Sequence, residues 1–151
     1  MIRSNWTQNE ILKILNLPLL ELIFKAQKVH KKYFPKKDVQ LASLLSIKTG
    51  ACPENCKYCP QSAHYKTGLK NESLLNVNEV LEKAKKAKKS GASRFCMGAA
   101  WREVKDGPEF DKIIKMVEGI KKIGMESCVT LGMLNQKQAN KLAEAGLKAY
   151  N

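Results

Sequence analysis

Apolar and polar positions in the first part of the chain follow a helical period. Thr7 followed three residues later by Glu10 predicts a capping box, and apolar residues continue at helical spacing until Pro18. A second helix is predicted over residues 19–34, before a proline. We therefore assign residues 1–37 to an N-terminal helical region.

From residue 38 onward, short apolar runs alternate with longer stretches of helical spacing. The predicted strands are 41–47, 93–100, 125–132 and a fourth that begins at Leu147. Three helices are predicted between them. The first starts near Asn78, the second carries apolar positions from Phe110 to Ile123, and the third starts at Asn135 with Ala139, Leu142 and Ala143 facing inward. This alternation is typical of parallel βα units, which build either a (βα)8 barrel or an open doubly wound sheet.

Two features favour the barrel. The first predicted strand is not followed by the Gly-rich phosphate loop of a dinucleotide-binding sheet, and the chemically informative residues lie in or just after strands, where a barrel builds its active site. We expect an α/β, TIM-type (βα)8 barrel, with residues 38–151 as its N-terminal half. Because a barrel takes ~250 residues and this chain supplies about three and a half βα units, we expect a truncated barrel.

Composition and charge narrow the choice of compartment and partner. The net charge is +13, but the 27 basic residues are 24 Lys and only 3 Arg, and most lysines occupy solvent-facing helix positions, so we expect no specific nucleic-acid partner. We identify neither a membrane span nor a secretory signal, and expect a cytoplasmic protein. In that reducing compartment five cysteines are metal ligands or catalytic groups rather than disulfides.

Three of the cysteines form a C-x3-C-x2-C motif at Cys52, Cys56 and Cys59, directly after the first predicted strand. One interpretation is a structural zinc completed by His64, in a small Cys3His module whose basic surface binds nucleic acid. The other is a four-iron cluster, in which three thiolates leave one iron open for a ligand. The residues alone leave both interpretations open.

The other two cysteines fall on consecutive predicted strands. Cys96 and Cys128 follow the helix-ending Gly91 and Gly124 at nearly equal distances, which predicts equivalent depths on neighbouring strands. Their side chains can then share the lumen face across the ~4.8 Å that separates parallel strands. By the same count Asn151 is expected at a comparable depth on the fourth strand.

The cysteine motif resembles that of the radical S-adenosylmethionine enzymes, with Tyr58 in the aromatic position before the last cysteine. Within that superfamily, three stretches resemble the biotin synthase family: CPENCKYCPQSAHYKTGL (52–69), RFCMGAAWR (94–102) and AGLKAYN (145–151). The resemblance runs in register from the N-terminal helices to the last residue.

This resemblance implies an enzyme that converts dethiobiotin to biotin by radical sulfur insertion. A 4Fe-4S cluster on Cys52, Cys56 and Cys59 would cleave S-adenosylmethionine to the radical. The inserted sulfur would come from a 2Fe-2S cluster, for which Cys96 and Cys128 are two ligands.

The resemblance also implies roles for three other residues. Tyr58 and Trp101 would line the S-adenosylmethionine site, although Trp101 is equally explained as a packing aromatic, and Asn151 would contact dethiobiotin. Further partners would be a flavodoxin-type electron donor and, at full length, a second copy of the chain in a homodimer. Because a third 2Fe-2S cysteine and an arginine of the family pattern lie beyond Asn151, we expect this chain alone not to make biotin.

Overall fold

The computed structural model describes residues 3–34 and 39–151. The chain divides after Val39 into two compact units. The boundary predicted between residues 37 and 38 lies outside the described residues, so it stays a prediction. No helix in the described part of the chain is both long and apolar enough to span a membrane.

The first unit contains two helices, α1 (Gln8–Leu15) and α2 (Leu19–Tyr33). The predicted capping box is confirmed: the backbone N–H of Glu10 donates to the Thr7 hydroxyl at 3.4 Å, and a Glu10 carboxylate oxygen accepts from the Thr7 N–H at 2.9 Å. These bonds satisfy backbone donors that a helix start leaves free. The hydrogen bonds that the Glu10 carboxylate accepts lower its pKa to about 2; the bond from the Thr7 backbone contributes most, followed by those from the Thr7 hydroxyl and Arg3.

The second unit is a parallel sheet with helices between its strands. Its elements are β1 (Ala42–Lys48), α3 (Val77–Lys89), β2 (Arg94–Ala99), α4 (Pro108–Ile123), β3 (Glu126–Thr130), α5 (Gln136–Ala145) and β4 (Ala149–Tyr150). The strands pair in the order β1-β2-β3-β4, all parallel. A doubly wound sheet reverses direction at a switch point, whereas a barrel adds strands in chain order. The predicted α/β architecture is therefore confirmed, and the order is that of a barrel segment.

Strand side chains alternate between two environments. One face packs against the helices and forms the core, contributed by Ile47, Phe95, Met97, Val129, Phe110, Ile113, Val117 and Leu142. The opposite face, which we call the lumen face, carries Leu44, Cys96 and Cys128, which are register partners or near neighbours across β1 to β3. The core fixes which strand residues point away from the helices.

The inward face of α5 differs from the prediction. Leu142 is buried as expected, but Ala143 is exposed and Ala139 only half-buried, while Gln138 is buried. The Gln138 amide donates to the Val104 carbonyl at 3.0 Å and to an Asp106 carboxylate oxygen at 2.9 Å. A polar side chain is buried here because these partners satisfy its donors.

Candidate functional site

The three cysteines of the motif lie in a loop that leaves the carboxyl end of β1, as predicted. We call residues 50–65 the cysteine loop. Cys56 is exposed, Cys52 and Cys59 are half-buried, and all three thiols are free. In a barrel, loops at this edge of the sheet carry the active site.

Backbone hydrogen bonds hold the two limbs of the cysteine loop together. The Cys52 N–H donates to the Gln61 carbonyl at 3.0 Å, and the Ala63 N–H donates to the Cys52 carbonyl at 2.8 Å. Between the limbs, the Cys59 N–H donates to the Cys56 carbonyl at 3.0 Å, so these two cysteines stand at the ends of one tight turn. The loop is therefore a paired structure, with Cys52 on one limb and Cys56 and Cys59 in the turn between the limbs.

The entry to the cysteine loop has an unusual backbone. Gly50 has a φ of 74° and Ala51, which has a Cβ, has a φ of 52°. A Cβ at Gly50 would run into the Asn71 side chain, so this position requires glycine for both reasons. Ala51 in the left-handed region carries strain of ~1 to 2 kcal/mol that surrounding contacts must compensate.

Side chains from neighbouring segments also contact the cysteine loop. Glu54 forms an ion pair with Arg102, which lies after β2, at 2.6 Å. Inside the loop the Tyr65 hydroxyl donates to the Asn55 side chain at 2.6 Å. These polar contacts were not predicted from the sequence. For Arg102, its position just after a predicted strand was the one indication of a role at this edge of the sheet.

Tyr58 and Trp101, the residues predicted to line a nucleoside site, lie in different environments. Tyr58 is 93% exposed at the tip of the cysteine loop. Trp101 is half-buried and packs against the hydrophobic core, which matches its alternative role as a packing aromatic. Their predicted role toward S-adenosylmethionine stays a prediction.

The donor set of the cysteine loop fits an iron–sulfur cluster chemically, since clusters take thiolates and three are present. Within residues 3–34 and 39–151, no three His, Cys, Asp or Glu side chains converge tightly enough to hold a single metal ion. Cluster ligands bind separate irons and need not converge on one point. His64, the candidate fourth zinc ligand, has its Nε2 atom 3.0 Å from the Pro53 carbonyl oxygen.

The two remaining cysteines form a pair on the lumen face. Cys96 and Cys128 are direct register partners across β2 and β3, which confirms their predicted equivalent depth. Cys128 is 3% exposed and Cys96 is half-buried. Burial, followed by a hydrogen bond to the Cys128 thiol, raises the pKa of Cys96 above its ordinary value. We call these two residues the strand pair.

Asn151 reaches the strand pair from a different position than predicted. Ala149, not Asn151, is the register partner of Cys128, so the expectation of equal depth was wrong by two residues. The Asn151 side-chain amide nevertheless donates to the Cys128 sulfur at 3.4 Å, while its backbone N–H donates to the Val129 carbonyl at 3.1 Å. The residue therefore joins the strand pair through its side chain.

An ion pair lies two residues before the strand pair on the same two strands. Arg94 and Glu126 are register partners joined at 2.8 Å, and Gln40 donates to the same carboxylate at 2.8 Å. The Arg94 hydrogen bond, then that of Gln40, lowers the pKa of Glu126 below its ordinary value. These contacts tie β2 to β3 next to the two thiols.

Comparisons with known proteins show which family the chain is similar to. The chain matches the Radical SAM superfamily over residues 46–151, which include both the cysteine loop and the strand pair. It is 59% identical over 150 residues to a biotin synthase from Myxococcus xanthus, and 58% identical over 150 residues to one from Synechococcus elongatus. A biotin synthase from Methylococcus capsulatus is 56% identical over 151 residues.

These matches cover nearly all of this chain but less than half of each relative. The shares are 99% of the chain and 43% of the Myxococcus protein, 99% and 47% for Synechococcus, and 100% and 46% for Methylococcus. The chain thus spans about half the length of the curated relatives that it matches.

Proposed function

The chain belongs to the Radical SAM superfamily, and we propose that it is a biotin synthase polypeptide that supplies the N-terminal half of the catalytic barrel. The observation that carries the proposal is the identity of 56 to 59% to proteins named biotin synthase, sustained over the whole chain. The position of the cysteine loop at the carboxyl end of β1 supports it, because barrel chemistry is located at that edge. The proposed overall reaction is conversion of dethiobiotin to biotin by radical sulfur insertion.

In this proposal the cysteine loop holds the first cofactor. Cys52, Cys56 and Cys59 provide three thiolates, and the pairing of the loop limbs keeps them in one segment. When bound there, a 4Fe-4S cluster with one open iron would chelate S-adenosylmethionine and supply the electron that cleaves its sulfonium. Tyr58 and Trp101 would then line the nucleoside side of the site.

The strand pair holds the second cofactor in the same proposal. Cys96 and Cys128 provide two of the ligands of a 2Fe-2S cluster, the source of the inserted sulfur. The Asn151 amide, which donates to the Cys128 sulfur, would orient dethiobiotin beside that cluster. The two sites would share the lumen side of the sheet, so a radical formed at one could reach a substrate held at the other.

The remaining parts of the proposal concern partners and the activity of this chain alone. An electron-donor protein of the flavodoxin type would reduce the first cluster, and the full-length protein would form a homodimer. The isolated chain is proposed not to make biotin, because its four strands leave the lumen face open, with Leu44 75% exposed, whereas a barrel closes with eight.

The test is anaerobic reconstitution of the chain with iron and sulfide, followed by metal analysis and electron paramagnetic resonance of the reduced protein. We expect a brown protein whose spectrum changes when S-adenosylmethionine is added. Adenosine, which lacks the amino and carboxylate groups that chelate iron, serves as the matched control and should leave the spectrum unchanged.

Two results would each overturn a part of the proposal. A colourless protein that retains one tetrahedral zinc per chain would support the Cys3His module instead. Biotin formed by the isolated chain from dethiobiotin, S-adenosylmethionine and reductant would contradict the proposed inactivity, although not the family.

A further inference from the structure

Lys48, the last residue of β1, has a side chain that turns back toward the backbone. Its ammonium donates to the Gly50 carbonyl at 3.0 Å and to the Ala100 carbonyl at 3.1 Å. The Ala100 N–H donates in turn to the Lys48 carbonyl at 3.0 Å. One half-buried lysine therefore joins the end of β1, the start of the cysteine loop and the end of β2.

The segment that Lys48 contacts is the strained entry to the cysteine loop. Two successive residues there, Gly50 and Ala51, have positive φ angles, and only the first is a glycine. The Gly50 N–H is also bonded, to the Gln61 side-chain oxygen, so Lys48 and Gln61 hold the same peptide segment from its two sides. Strained backbone persists only where surrounding contacts over-determine it.

Cys52 follows this segment directly, and its backbone is bonded on both sides to the opposite limb of the loop. The direction of the Cys52 thiol therefore depends on the path of the chain through Gly50 and Ala51. Hydrogen bonds from a charged donor are stronger than neutral ones, particularly where water is partly excluded.

We propose that Lys48 is a positioning residue whose ammonium fixes the Gly50–Ala51 turn, and through it holds Cys52 in the geometry that receives the cluster. This inference deepens the proposed function, because it concerns the loop that would bind the first cofactor. An exposed surface lysine would have neither of these backbone contacts. The role is distinct from that of the cysteines, since Lys48 provides no ligand.

The first experiment uses the chain without iron and measures amide hydrogen exchange in Lys48→Met. Methionine keeps an unbranched side chain, one atom shorter than that of lysine, and cannot donate a hydrogen bond. We expect exchange at the Cys52 and Ala63 amides to accelerate by roughly tenfold to a hundredfold, the factor that one charge-assisted hydrogen bond represents. Core amides such as that of Val129 should not change.

Two further variants complete the test. Lys48→Arg retains the charge and donors and should restore most of the protection at Cys52. Lys115→Met, which removes an exposed lysine from α4, should behave as the unmodified chain. Any of three results would overturn the inference. Exchange in the loop could be unchanged in Lys48→Met, Lys48→Met and Lys48→Arg could exchange equally fast, or core amides could accelerate as much as those of the loop.

A second experiment connects the loop to the cluster. After anaerobic reconstitution, Lys48→Met should retain several-fold less iron than Lys115→Met and should lose the spectral response to S-adenosylmethionine. If the unmodified chain itself takes up no responsive cluster, the proposed function fails while the exchange result still judges Lys48. If the unmodified chain does take up a responsive cluster, and Lys48→Met has the same iron content and spectrum, only the inference about Lys48 fails.

Discussion

The cysteine loop and the strand pair present thiols in two different ways. The loop gathers three cysteines from eight consecutive residues, and local backbone hydrogen bonds hold them at the surface. The strand pair joins two cysteines from different βα units, and the packed core behind the sheet holds them in place. The loop site is therefore encoded by spacing along the chain, whereas the pair exists only when the sheet forms.

Because of this difference, we expect the two sites to respond differently to mutation. Mutations in the core should disturb the strand pair together with the whole unit, whereas we expect substitution of a loop cysteine to leave the sheet folded. Burial differs only at the extremes, since Cys56 is exposed and Cys128 is 3% exposed, whereas the other three cysteines are half-buried. Three measurements test whether the cysteine loop and the strand pair behave separately.

The largest expected effect is on the free energy of unfolding. Phe95 precedes Cys96 on β2, points into the core and is 1% exposed. Phe95→Ala should destabilise the second unit by ~3 to 5 kcal/mol, because it removes a buried aromatic ring and leaves a cavity. Urea unfolding followed by circular dichroism measures this change. The control is Leu44→Ala on the open lumen face, which should cost within ~0.5 kcal/mol. Equal losses in the two variants would contradict the assignment of the two faces.

The next effect is on iron content and compares two identical substitutions. Cys56→Ser should reduce the iron retained in the 4Fe-4S form by roughly tenfold or more, because a serine hydroxyl does not ionise to replace a thiolate ligand. Cys96→Ser should leave that cluster in place, since the strand pair is proposed to serve the other one. Iron and sulfide analysis with the reduced spectrum gives the comparison. If both variants lose this cluster equally, the two sets of thiols do not act separately.

The smallest effect is on the rate of thiol alkylation in the iron-free chain. Iodoacetamide should modify Cys56 several-fold to tenfold faster than Cys128, because the buried thiol reacts only when the sheet opens locally. Peptide mass spectrometry over a time course measures both sites in one sample. In urea the two rates should become similar, and a fast reaction at Cys128 under native conditions would show that the core does not protect the pair.

The features that sequence predicted correctly depend on neighbouring residues. The capping box predicted at Thr7 was confirmed, and α5 begins after Asn135 as predicted, since in both places the partner residue lies three residues away. All four predicted strands were confirmed with small shifts at their ends, because an apolar run with a glycine at one of its ends marks each of them. The cysteine loop was located for the same reason, as its spacing and its position after β1 are local properties.

The features that sequence predicted less well depend on distant partners. Cys96 is the fifth residue after Gly91, Cys128 the fourth after Gly124, and Ala149 the third after Gly146, yet these three are aligned in the sheet. A constant count from each glycine therefore misplaced Asn151, because strands of a barrel are staggered relative to one another. The contacts of Lys48 with Ala100 and of Gln138 with Val104 were missed because the accepting carbonyls belong to other segments of the chain.

Because the strands pair in chain order, they also become available for pairing one after another during translation. Each new strand adds to the edge left by the previous one. The residues of β2 that pair with β1 lie about 52 residues further along the chain. At ribosomal rates of roughly 5 to 20 residues per second, β2 emerges about 3 to 10 s after β1, and β3 follows after a further 32 residues. The loop thiols are thus synthesised seconds before Cys128 arrives to complete the pair.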